Sequence, residues 1–156
     1  MLVLRDTIGI RATPEQVFDW LAHLEENYTS WHPDHVSCRH VSGPRFGPAA
    51  VYRVEQYLHG KLHRLTMRVT RVIPNRELRY RIAPGFHGTF RVIPQGSGVQ
   101  FVAELTMGWS VPVLGPILDA LLGRLLSRRL AAQEQHMREE GENLRTLLEE
   151  VGAGES

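Results

Sequence analysis

A chain of 156 residues is long enough for one domain that buries about two-thirds of its unfolded surface. With 42% apolar residues, 22% charged residues and a formal net charge of +1, it has the composition of an ordinary globular protein. The whole-chain charge excludes a large basic field for nucleic acid or an anionic membrane. Cys38 is the sole cysteine, which excludes an internal disulfide and fits a reducing, cytoplasmic setting.

The start, Met1 to Ile10, carries Arg5 and Asp6 and has no signal-peptide core. Leu2, Leu4, Ile8 and Ile10 alternate with polar or small residues, which predicts a first strand ending near Arg11. Thr13 as N-cap, Pro14 at the first helical position and Glu15 in the first turn open a helix. That helix turns Val17, Phe18 and Leu21 inward and runs to about Glu25. Tyr28 to His35 is a loop or short helix, and Pro33 disfavours helical geometry at His32, so His32 and His35 point in different directions. Strands follow at about 36–42, 50–58, 62–73, 77–83, 86–93 and 98–108, separated by Gly, Pro and Asn turns. Short turns make the pairings antiparallel. A link from Gly108 to Gly115 leads into a long helix from Pro116 to Val151. The apolar stretch Val111 to Leu126 is too short to span a membrane and is interrupted by Asp119 and Arg124. Residues 1–151 form a single domain, and Gly152 to Ser156 a disordered tail.

At 100° per residue, Leu118, Leu121, Leu122, Leu125, Leu126, Leu144 and Leu147 share one stripe of the long helix. Arg124, Arg128, Arg138, Glu142, Arg145 and Glu149 fall opposite. Within the apolar stripe lie Arg129, Gln133, His136, Glu140 and Asn143, and burying such groups costs several kcal/mol apiece unless each is paired. The fold class expected is therefore α+β, a curved antiparallel sheet wrapped around the helix, with a polar-lined cavity beside the helix's middle. His136 and Glu140 stand one turn apart on one face, as a simple i,i+4 pair or as two ligands of one ion.

This order resembles the helix-grip fold of the START-related superfamily, which includes pollen allergens, polyketide cyclases and lipid-transfer domains. Ala12-Thr13-Pro14-Glu15-Gln16-Val17-Phe18 and Glu140-Gly141-Glu142-Asn143-Leu144 carry that resemblance over nearly the whole chain. Tyr28, Trp31, His32, Pro33 and His35, with His136 and Glu140, resemble more narrowly the zinc-dependent 2,4-diacetylphloroglucinol hydrolase group. That resemblance implies Zn2+ held by His35, Glu55, His136 and Glu140, and a metal-dependent hydrolase of a small aromatic or polyketide-like ketone. Tyr28, Tyr57 and Arg129 then complete the catalytic set at the cavity wall.

Alternatives stand beside each of these. His32 replaces His35 should His35 turn outward. Glu55 either faces the cavity or pairs with Arg53 or Arg68, in which case Glu104 is the reserve carboxylate. Arg129 pairs with a cavity carboxylate or carries its charge to the helix edge. The same pocket also suits a non-enzymatic carrier of a lipid, quinone or polyketide, or a metal-free polyketide cyclase or dehydratase. No Gly-rich phosphate loop, serine elbow or C-x-x-C occurs, so the partner expected is a small hydrophobic or aromatic ligand and not nucleic acid.

Overall fold

The computed structural model describes residues 1–108 and 115–154, without the side chains of Leu118 and Leu122. The chain runs β1 (Leu2–Ile10), α1 (Pro14–Ala22), α2 (Leu24–Trp31), β2 (His35–Ser42), β3 (Val51–Leu58) and β4 (Lys61–Ile73). It continues with β5 (Glu77–Ala83), β6 (Phe86–Gln95), β7 (Gly98–Met107), α3 (Gly115–Leu125) and α4 (Ser127–Gly154). All seven strands form one antiparallel sheet in the order β1-β7-β6-β5-β4-β3-β2, so the first strand crosses over to pair with the last. This is the expected helix-grip arrangement: the sheet curls around α4, which packs on β1, β7 and α2.

Local chemistry sets the elements. Thr13 Oγ1 accepts the Gln16 N–H at 3.1 Å while Gln16 Oε1 accepts the Thr13 N–H at 2.9 Å, a reciprocal cap that fixes the start of α1. Val17, Phe18 and Leu21 are buried beneath it, as expected. The chain then breaks at His23, so the helix expected to Glu25 is two helices, with Tyr28 and Trp31 buried on the second. Irregular register in β2, β4 and β5 marks bulges that add twist and let the sheet curl.

The long helix differs most from expectation. It is interrupted at Leu126, whose carbonyl accepts the first α4 bond from the Leu130 N–H at 2.8 Å. The break uncouples the phase of the two halves. Leu144 and Leu148 are buried on α4, but Leu121 and Leu125 of α3 face water. Helix also continues through Gly152–Gly154, where a disordered tail was expected; the rest of that tail, residues 155–156, lies outside the described residues. Most of the expected Gly108–Gly115 link, residues 109–114, lies outside the described residues.

Candidate functional site

The site begins at a turn. Pro33 forces extended geometry on His32 (φ −150°, ψ 143°), which ends α2, and the His35 N–H then closes on the His32 carbonyl at 3.0 Å. The irregular register between His35 and Ser37 shifts the strand's alternation, so that His35 and Cys38 are both buried while Val36 is 43% exposed. Without that bulge His35 would share the outward face.

His35 is held from two sides. Its ring stacks on Tyr28 (centroids 3.9 Å apart, 4° between planes), and its Nδ1 lies 2.9 Å from the Tyr28 carbonyl. A carbonyl only accepts, so Nδ1 carries the proton and donates. Nε2 of His35 then faces Glu140 Oε1 at 2.9 Å and His136 Nε2 at 3.3 Å, and His136 Nε2 lies 3.1 Å from the same oxygen. Two ring nitrogens and a carboxylate oxygen form a small triangle. Their lone pairs repel unless a positive charge, a proton or a cation, sits among them.

Electrostatics agree with that reading. Burial opposes charge on Glu140, but hydrogen bonds and attraction from His136 and His35 outweigh it and hold the carboxyl down to about 2. Burial likewise opposes the His136 imidazolium, yet the Glu140 carboxylate, helped by Asp34 and Glu139, raises its pKa above the ordinary 6.5.

Hydrogen bonds lace α2 to α4 around the triangle. Trp31 Nε1–H donates to the Glu140 carbonyl at 2.9 Å, and Asn143 Nδ2 donates to the Trp31 carbonyl at 2.9 Å, satisfying a terminal carbonyl of α2. His32 completes the wall from outside. Its Nδ1 accepts the Asp34 N–H at 3.0 Å, so Nε2 carries the proton and donates to Glu139 Oε2 at 2.7 Å. His32 and His35 thus reach different carboxylates, while both rings lie against His136.

A cavity of about 100 Å³ lies between this cluster and the concave face of the sheet. Trp31, Tyr80, Phe90 and Met137 supply apolar wall; Gln133, His136 and Glu140 supply polar wall. Tyr28 donates its hydroxyl to Gln56 Oε1 at 2.5 Å, and burial pushes its pKa far above the usual tyrosine range, so it stays protonated. Tyr80 lies across Gly88, its direct neighbour on β6, where an added Cβ would sit 2.0 Å from the ring. Gly88→Ala should therefore drive Tyr80 into the cavity, cost about 1–3 kcal/mol in urea unfolding and close the pocket to small-ring ligands.

Of the residues expected at the site, the structure brings His35, His136 and Glu140 together, with ligand atoms within 4.8 Å of one another, and lines the cavity with Tyr28. It does not bring Glu55. The inward row of β3 is Tyr52, Val54 and Gln56; Glu55 turns outward to Arg64 at 3.0 Å and Ser37 at 3.2 Å. Tyr57 shares that outer row and is 45% exposed, bordering a surface groove instead of the cavity. Arg129 is exposed near the start of α4 and does not line the cavity, in keeping with its charge being carried to solvent. The reserve Glu104 is among the residues that line the cavity, but its carboxylate is paired to Arg5 at 2.5 Å and Arg91 at 3.6 Å and does not join the triangle. Gln56 and Tyr80 are the polar-tipped cavity residues that sequence reasoning missed, along with apolar wall such as Met67, Phe90 and Met137.

A sheet closed on a helix, with a small cavity and a charged cluster in its wall, defines a protein of the helix-grip class. The chain belongs to the family described as polyketide cyclase / dehydrase and lipid transport, which it matches over residues 1–149. Among solved structures it is similar to TTHA0849 from Thermus thermophilus, at 22% identity over 99% of this chain and 100% of that one, with a TM-score of 0.72. A START superfamily protein from Mycobacterium smegmatis aligns at 19% identity over 86% of this chain and 95% of its own, with a TM-score of 0.59. The di-domain ARO/CYC BexL from the BE-7585A biosynthetic pathway aligns at 16% identity and TM-score 0.70, over 95% of this chain and 50% of BexL. No curated protein matches the chain. These structural likenesses bear on the fold.

Proposed function

We propose that the protein binds a small, partly aromatic carbonyl compound of polyketide type and moves a proton next to its carbonyl group, as a cyclase or dehydratase does. The observation that supports this is the charged triangle set in the wall of an otherwise largely apolar cavity. With Glu140 ionised, one shared proton leaves one imidazolium and one neutral imidazole, an acid and a base in a single cluster. His136 reaches the cavity and exchanges the proton with the ligand; His35, 3.3 Å behind it, holds the proton in the alternate state. The Gln56 amide, its oxygen taken by Tyr28, has N–H groups to offer a ligand carbonyl.

Size narrows the ligand. A cavity of about 150 Å³ suffices for benzene, so about 100 Å³ takes one ring only if the adaptable Met67 and Met137 side chains give way. The test is exchange of the methyl protons of 2,4-dihydroxyacetophenone for deuterium, followed by NMR. The wild-type chain should accelerate exchange at least about 100-fold over buffer and His136→Ala should lose it, in the range of general acid–base catalysis. Tight binding without exchange would instead make the protein a carrier.

A second reading rests on the triangle's dimensions. Ligand atoms about 2.0–2.1 Å from a tetrahedral ion stand roughly 3.3 Å apart, close to the observed edges of 2.9, 3.1 and 3.3 Å. The Nδ1–H bond of His35 to a carbonyl is also the support that metal-binding imidazoles use. His35, His136 and Glu140 therefore fit Zn2+ as a three-residue set, without Glu55. Such an ion, when bound, polarises a carbonyl and acidifies water, the chemistry of a hydrolase. Metal analysis of tag-free protein separates the readings. Stoichiometric zinc that is lost in His136→Ala and retained in His63→Ala favours the metal; deuterium exchange that survives chelation favours the proton.

A further inference from the structure

Helix α3 turns a row of three apolar side chains outward. Ile117, Leu121 and Leu125 recur every fourth residue and are 66%, 54% and 73% exposed. The opposite side carries Asp119, which is buried beside Met1 and Gly108, and Gly123, which packs near Leu2. A helix that buries a carboxylate and presents leucines to water inverts the usual pattern of a globular surface. Phe86, paired with Met107 at the end of the sheet next to the start of β1, is 42% exposed and extends the apolar rim.

Charge says what covers this rim. Arg124, Arg128 and Arg129 are exposed, and among the described residues none of them has an ion-pair partner. Between residues 115 and 133 the only carboxylate is the buried Asp119. Two copies of this face would oppose two sets of arginines with no carboxylate between them, which disfavours self-association. A bilayer of anionic lipid satisfies both features at once: acyl chains receive the leucine stripe, and headgroup phosphates meet the guanidinium groups. The net charge of +1 hides this local asymmetry. No helix among the described residues is long and apolar enough to cross a membrane, so contact would be with the surface alone.

We propose that α3 and the start of α4 form a docking surface for an anionic membrane. This holds whatever the cavity contains. The test is co-sedimentation of the full chain with vesicles of phosphatidylcholine containing phosphatidylglycerol, against vesicles of phosphatidylcholine alone. At low ionic strength the chain should bind the mixed vesicles at least about tenfold more tightly than the neutral ones, and salt should weaken it. I117S/L121S/L125S should bring binding to background, and R124Q/R128Q/R129Q should weaken it about 100-fold. These side chains are exposed, so unchanged melting curves are expected; I93S, at another exposed apolar site, should bind as wild type does. The proposal is overturned if the wild type stays in solution beside mixed vesicles, or if the triple serine variant still pellets. A lipid-free dimer that the serine variant abolishes would also overturn it, in favour of self-association.

Discussion

Glu140→Ala is expected to lower the unfolding free energy by about 3–5 kcal/mol near pH 6 and to abolish proton exchange on a bound ketone. Among the described residues the carboxylate is the one anion touching both His35 and His136, and without it a proton shared between their Nε2 atoms, 3.3 Å apart, has no counter-charge beside it. The pH dependence follows from the two shifts. Glu140 is depressed in the folded state, so its contribution is present above 4.5 and is lost as pH falls toward about 2. His136 is raised, so its contribution is full below 6.5 and is lost as pH climbs through its folded value. The stability difference between wild type and Glu140→Gln should therefore peak between pH 4.5 and 6.5 in chelator-treated protein. Urea unfolding from about pH 3 to about pH 8, past both ends of that window, checks it, and a difference that stays constant over the whole span would mean the cluster holds no shared proton.

Trp31→Ala should cost about 3–5 kcal/mol and loosen the site from its other side. Trp31 is almost wholly buried, with ring centroids 5.1 Å from Trp20, 5.6 Å from Phe90 and 5.7 Å from His35. Its indole N–H anchors the Glu140 backbone, so truncation removes packing and lets the triangle drift. Trp31→Phe keeps most of the ring and gives up one hydrogen bond, at about 1 kcal/mol. Exchange activity should survive in the phenylalanine variant and disappear in the alanine one. Equal unfolding midpoints for the two variants would show that ring packing is not what holds α2 to α4.

The strands were legible because turn residues bound them and alternation sets their faces. β3 was the exception, since Val51/Arg53/Glu55/Tyr57 and Tyr52/Val54/Gln56/Leu58 look equally mixed. Register resolves it: Tyr52 pairs with Met67 and Val54 with Leu65, so the apolar row of β4 selects Gln56 for the cavity and leaves Glu55 to Arg64. That information lies in the neighbouring strand. His35 depended on a bulge, which no single-strand pattern announces. The His136–Glu140 pair was legible because i,i+4 spacing survives any change in how the helix is laid down. The face of α3 was not, because its phase was read across Leu126, where neither proline nor a capping side chain marks the break.

The most direct measurement is a 1H–15N NMR titration of the chain with 2,4-dihydroxyacetophenone. The largest shifts should fall on the Trp31 indole N–H, the Gln56 side-chain amide and the backbone of Phe90, His136 and Glu140, which surround the cavity. Glu55 and Arg64, on the outer face of the sheet, should not move. A spectrum unchanged at saturating ligand, or shifts confined to the outer face, would contradict a functional cavity walled by the His35–His136–Glu140 cluster.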